Sequence, residues 1–135
     1  MRFMMIVKAS KESEAGVMPD ERVLAEMGKY NEELMKAGVL LDGSGLHPSS
    51  RGARVTYTGA KRTVVDGPFA EAKELIAGYW LIQVKSKAEA IEWAKRVPFQ
   101  EGEVELRQLF ELDDFAPGEA IDRARELADE LARKR

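Results

Sequence analysis

Residues 79–98 read YWLIQVKSKAEAIEWAKRVP, and the change of period inside this stretch decides the fold. Tyr79, Leu81 and Gln83 fall on one face and Trp80, Ile82 and Val84 on the other. The segment is therefore a strand with both faces at least partly covered. Ser86-Lys87-Ala88-Glu89 then has the form of a capping box: the Ser86 hydroxyl accepts from the third helical amide while Glu89 reaches back. Ala90, Ile91, Ala94 and Val97 share one helical stripe, and the helix stops before Pro98, whose ring disfavours helical geometry in the preceding residue.

The remaining elements extend outward from this unit. Phe3 to Val7 is a compact apolar run bounded by Arg2 and Lys8, short enough for a buried strand. Pro19-Asp20-Glu21 opens a helix carrying Val23, Leu24, Met27, Tyr30, Leu34 and Met35, with Gly38 as its left-handed stop. Gly28, on the stripe of Leu24 and Met35, reads as a point of close approach between helix and sheet. Val39 to Leu41 form a short strand that enters a Gly/Ser/Pro loop, Gly43 to Ser50. Arg54 to Tyr57 and Arg62 to Val65 pair as a hairpin. Val104 to Leu112 alternate as the last strand. Gly118 to Arg135 form an acidic-then-basic helix with a narrow stripe of Ile121, Ala124, Leu127, Ala128 and Leu131.

This order is βαββαβ with an inserted hairpin and an extra C-terminal helix, which places two helices on one face of an antiparallel sheet. The fold class is α+β, a ferredoxin-like sandwich. Residues 1–115 form the domain, and residues 116–135 form a helix packed on that domain or on a partner. The second sheet face carries too many apolar residues for a soluble monomer, so a homodimer closing sheet on sheet is expected.

Composition narrows the chemistry. The chain has 135 residues, 44% of them hydrophobic and 33% charged, which suits one globular core. With 21 Lys and Arg against 24 Asp and Glu, the net charge of −3 argues against nucleic acid as a partner. No apolar run reaches the roughly 20 residues of a spanning helix, and the short apolar N-terminus lacks the form of a signal peptide. No membrane association and a cytoplasmic setting are expected. Zero Cys and one His exclude thiol chemistry and leave few ways to hold a transition metal.

The densest polar cluster is Asp66 to Glu74, DGPFAEAKE. It has two readings. Asp66 before Gly67-Pro68 fixes a turn and Phe69 anchors it; or Asp66, with Glu71 or Glu74 further on, faces a cleft where repulsion raises one carboxylate's proton affinity. Lys73 would neutralise these acids in the first case and bind ligand in the second. His47, in the Gly/Ser/Pro loop, is the only side chain whose ordinary proton affinity suits acid-base work near neutrality. Arg51, Arg54 and Arg62 are candidates for an anionic ligand near that loop, or else solvated surface. Ser44 or Ser49 as a nucleophile with His47 is rejected, because residues so close on one loop do not form a triad. Gly43-Ser44-Gly45 lacks the rest of a phosphate loop.

The run Asp66 to Tyr79, DGPFAEAKELIAGY, followed by Ser86, Glu89-Ala90 and Val97-Pro98, resembles the DGPF family of the YCII-related superfamily. Leu46 with Pro48, Ala37 to Leu41 and Phe3 to Ile6 match the same pattern, so the resemblance covers about residues 1–115. It implies a dimeric ferredoxin-like α+β barrel. The broader group is thought to use a His and Asp pair in a cleft. Met27 stands where that His would fall, so the pair does not transfer and Asp66 is the surviving acid, supported by Glu71, Lys73, Glu74 and Tyr79. The expected function is a small-molecule enzyme working by proton transfer without cofactor or metal. Its cleft lies between the Leu46 to Ser50 loop and the Asp66 to Glu74 turn; Asp66 or His47 is the base, and Tyr79 or Lys73 steadies negative charge. The alternative is a non-catalytic ligand-binding or regulatory module, since some relatives are encoded beside or fused to sigma factors.

Overall fold

The computed structural model describes residues 1–134, leaving aside the Lys73 side chain. Its elements run β1 (Arg2–Lys8), α1 (Lys11–Glu14), α2 (Glu21–Lys36), β2 (Leu40–Gly45), β3 (Ala53–Thr58), β4 (Lys61–Asp66), β5 (Ile76–Gln83), α3 (Lys87–Lys95), β6 (Val104–Gln108) and α4 (Glu119–Lys134). Short 3-10 turns occupy Ser49–Arg51, Ala72–Glu74 and Leu112–Asp114. The main sheet has the order β2-β5-β1-β6, with every neighbouring pair antiparallel, and β3 and β4 form a separate hairpin. This is the ferredoxin-like α+β arrangement with the inserted hairpin that the order of elements implies.

Register decides which side chains meet. Phe3 opposes Ile82, and Met5 opposes Trp80 on one side and Leu106 on the other, so these residues share one face. Helices α2 and α3 cover that face with Tyr30, Leu34 and Ala90, joined by Val97 from the turn after α3, and the core closes around Met5, Leu34 and Ile82, all fully buried. Each such large side chain adds roughly 1.5–3 kcal/mol by leaving water. The helices begin where their caps dictate: the Asp20 side chain accepts from Val23 N and the Ser86 hydroxyl accepts from Glu89 N.

Tyr30 joins the layers. Its ring meets Trp80 edge-on at 5.3 Å between centroids, and its hydroxyl donates to the Trp93 carbonyl at 2.7 Å. Burial pushes the Tyr30 phenol well above its ordinary value. The native state therefore holds this proton where the unfolded chain releases it, so unfolding gains favour above the unfolded value of about 10. Denaturation midpoints measured at pH 9 and pH 11 are expected to fall more for the wild type than for Tyr30→Phe. Equal falls would remove Tyr30 as the cause.

The sheet's other face carries Met4, Ile6, Tyr79 and Leu81, all half-buried and none in the core. Ion pairs rim it: Lys8 to Glu105 at 3.6 Å, Arg107 to Glu105 at 3.4 Å and Arg2 to Glu111 at 2.9 Å. The hydrogen bonds from Arg2 hold the Glu111 carboxyl below its usual range. Helix α4 meets the Leu112–Asp114 turn, with Arg125 reaching Asp113 at 3.2 Å, and leaves Leu127 and Leu131 exposed. Among the described residues, no helix is long and apolar enough to cross a membrane.

Four local expectations change. Residues 11–14, in the polar stretch between the first strand and Pro19 where no element is expected, form α1, because Ser10 and Ser13 cap each other reciprocally. Strand β2 runs on to Gly45, into the expected loop, because pairing with β5 overrides its Gly/Ser composition; Gly78 leaves room for the Ser44 carbonyl, which a Cβ would meet at 2.9 Å. Strand β6 stops at Gln108 instead of Leu112, since Leu109 N makes the last bond to Arg2 O where β1 begins.

Gly28 faces outward, with nothing within 4 Å of a Cβ built there, so it makes no close approach to the sheet. Val23, Met27, Tyr30 and Leu34 form the covered stripe of α2, while Leu24 and Met35 are exposed. Gly28→Ala is thus expected to stabilise the protein by about 1 kcal/mol, through helix propensity alone. Urea denaturation checks this, and a lower midpoint would refute it.

Candidate functional site

The Asp66–Glu74 turn is attached to two other segments through Ser49. Asp66 ends β4 opposite Ala53, Gly67 N donates to Gly52 O at 3.0 Å, and the Gly67-Pro68 peptide is cis. A Cβ at Gly67 would stand 1.7 Å from the Ser49 carbonyl oxygen, so only glycine lets the two backbones approach this closely. Phe69 N donates to Ser49 Oγ at 3.0 Å. Ser49 in turn donates to the Glu14 carboxylate through its amide, at 2.9 Å, and through its hydroxyl. Three stretches far apart in sequence meet at one hydroxyl.

This junction forms one wall of a cleft of about 470 Å³. Leu46, Phe69, Leu75 and Ile76 supply apolar lining, and Glu14, His47, Ser49, Arg51 and Arg54 supply the polar groups. The Arg54 guanidinium lies over the Phe69 ring at 3.9 Å from its centroid. Arg51 Nη1 is 3.3 Å from His47 Nε2 and 3.4 Å from Nδ1, so it sits about equally close to both ring nitrogens. A second concavity, about 400 Å³ between α3 and β6, contains none of the candidate residues.

The fold brings His47, Arg51 and Arg54 into one cleft, while Arg62 on β4 is not part of its lining. Asp66, Glu71 and Glu74 are exposed on the turn and are not part of the lining. Tyr79 lies on the open sheet face, its hydroxyl 3.3 Å from Asp42 Oδ2. The Lys73 side chain lies outside the described residues. Glu14 and Ser49 complete the cleft. Ser49, weighed in the sequence only as a nucleophile, has its proton given to Glu14 and a lone pair given to Phe69 N, so it serves as a strut. The mutual caps of Ser10 and Ser13 could have revealed the helix that carries Glu14. No local signal could have paired Glu14 with Ser49, 35 residues away.

Fold and cleft together define an α+β sandwich whose concavity is built from an inserted hairpin's flanking loops. A family model for the YCII-related domain matches residues 1–113, and the chain belongs to that family. It is also similar to an uncharacterised protein of Rhizobium meliloti (strain 1021), 34% identical over 76 residues. That match takes in 56% of this chain and 61% of the relative, so the chain spans about three-fifths of the relative's length. Helix α4 lies beyond the matched domain.

Proposed function

We propose that the protein is a homodimer that binds a small molecule in the cleft beside His47 and performs cofactor-independent proton transfer there. The supporting observation is the cleft itself, which gathers the chain's single His with two arginines against an apolar wall. In this reading His47 takes the proton and Arg54 steadies the charge that develops. Asp66 shapes the turn with Glu71, Lys73 and Glu74 around it, and Tyr79 belongs to the sheet face that meets the second copy. Met4, Ile6, Tyr79 and Leu81 give that face its apolar centre.

A second reading, a regulatory module without chemistry, draws on α4. Its Leu127 and Leu131 are 48% and 54% exposed, and it lies outside the family domain. A surface of this kind suits a protein partner, including one of the sigma-factor class, as well as a second copy. Sedimentation velocity separates the cases. At tens of micromolar, the chain is expected to run at twice its 15.1 kDa, and Leu81→Asp is expected to return it to one copy. A chain ending at residue 117 should remain paired. Pairing lost with α4 alone would move the interface to that helix, and a single-copy wild type would overturn the dimer.

A further inference from the structure

Resting on the cleft reading above, we infer that the cleft selects a small organic acid, its carboxylate held by Arg51 and Arg54 and its apolar body laid on Leu46, Phe69 and Ile76. The argument begins with charge. Among the described residues, seven cations lie within 4.0 Å of a carboxylate, and neither Arg51 nor Arg54 is among them. Each instead rests against a ring: the Arg54 guanidinium lies over Phe69 at 3.9 Å from the centroid, and Arg51 Nη1 sits 3.3 and 3.4 Å from the two His47 ring nitrogens. Stacking holds the Arg54 guanidinium while leaving its edge N–H groups for a ligand, the His47 contact takes only Nη1 of Arg51, and a guanidinium edge matches the two oxygens of a carboxylate.

The cleft's own acid does not cancel this. Both oxygens of Glu14 are engaged, one by the Ser49 amide and one by its hydroxyl, so the carboxylate is turned into the wall. Two guanidiniums against one committed carboxylate leave the cleft positive in a chain whose net charge is −3. A local field opposed to the overall charge draws anions to that one place. The apolar lining then distinguishes an organic acid from an inorganic anion, because a phosphate would leave Leu46, Phe69 and Ile76 wet.

The test uses the full chain and matched probes: benzoate, its neutral isostere benzamide, the cation benzylamine, and inorganic phosphate. Titrations are followed by amide shifts in a two-dimensional NMR spectrum. Benzoate is expected to shift residues 46–54 and 69–76 with saturation, more tightly than the other three, and to weaken as salt rises. Arg51→Gln and Arg54→Gln should each reduce benzoate affinity roughly tenfold or more while leaving benzamide unchanged. Arg51→Gln guards against the case where losing the Phe69 stack unsettles the turn. Benzamide binding as tightly as benzoate at the same residues would overturn the acid preference and spare the cleft. Phosphate binding as tightly as benzoate would overturn the organic body. No shift at 46–54 or 69–76 with any probe would overturn the cleft reading as well.

Discussion

Gly67→Ala is expected to lower the melting temperature by about 10 °C or more and to abolish ligand response at residues 46–54. A methyl here would sit 1.7 Å from Ser49 O and 2.6 Å from Ser49 C, both backbone atoms, so no side chain can swing aside to relieve it. Overpacking alone costs roughly 1–3 kcal/mol. The displaced backbone would also break the Phe69 N to Ser49 Oγ bond and disturb the grip of Ser49 on Glu14. About 3 kcal/mol in a domain of this size corresponds to a shift of that order. Ser49→Ala is the milder companion: it keeps the backbone and removes only the hydroxyl, costing roughly 1–3 kcal/mol for the unpaired groups left behind. Differential scanning calorimetry of both variants is decisive. Gly67→Ala melting with the wild type would mean the two segments do not touch.

That result would also separate the two sequence readings of DGPFAEAKE. In the sequence, Asp66 attracts attention because a carboxylate beside Gly-Pro suggests either a turn or a site. The structure puts Asp66 at an exposed strand end and makes Gly67 and Phe69 the residues that meet other parts of the chain. Close backbone approach is invisible to local pattern, since it depends on what arrives from elsewhere. The strands and long helices were legible because period and caps are local: Ser86 caps α3 where the capping box implies, and Trp80, Ile82 and Val84 share the buried face. Gly28 and β2 were misread for a related reason. Composition describes what a segment tolerates, while the face it presents depends on its neighbours. His47, Arg51 and Arg54 were found by residue type, whereas Glu14 entered the cleft through a contact with Ser49, 35 residues away, that no single window displays.

Trp80 and Tyr79 are adjacent, aromatic and similar in size, yet their replacement by Ala should have opposite consequences. Trp80 is 5% exposed, lies 5.3 Å from Tyr30 and 6.4 Å from Phe99 between ring centroids, and donates from its indole to Asn31 Oδ1 at 2.7 Å. Trp80→Ala is therefore expected to cost about 3–5 kcal/mol, through the cavity left and the strand lifted toward it. The Asn31 amide would add to the loss by remaining without its indole partner. Tyr79 points to the other side of the same strand, where its hydroxyl meets Asp42 Oδ2 at 3.3 Å. Tyr79→Ala should leave single-chain stability within about 1 kcal/mol of wild type, in line with surface substitutions. If that face joins two copies, the variant should instead show a denaturation midpoint that drops as protein is diluted from tens of micromolar to below one. Urea titration at two concentrations reads both effects. A Trp80→Ala chain within 1 kcal/mol of wild type would refute the placement of β5 beneath α2, because strict alternation cannot bury both aromatics on one face.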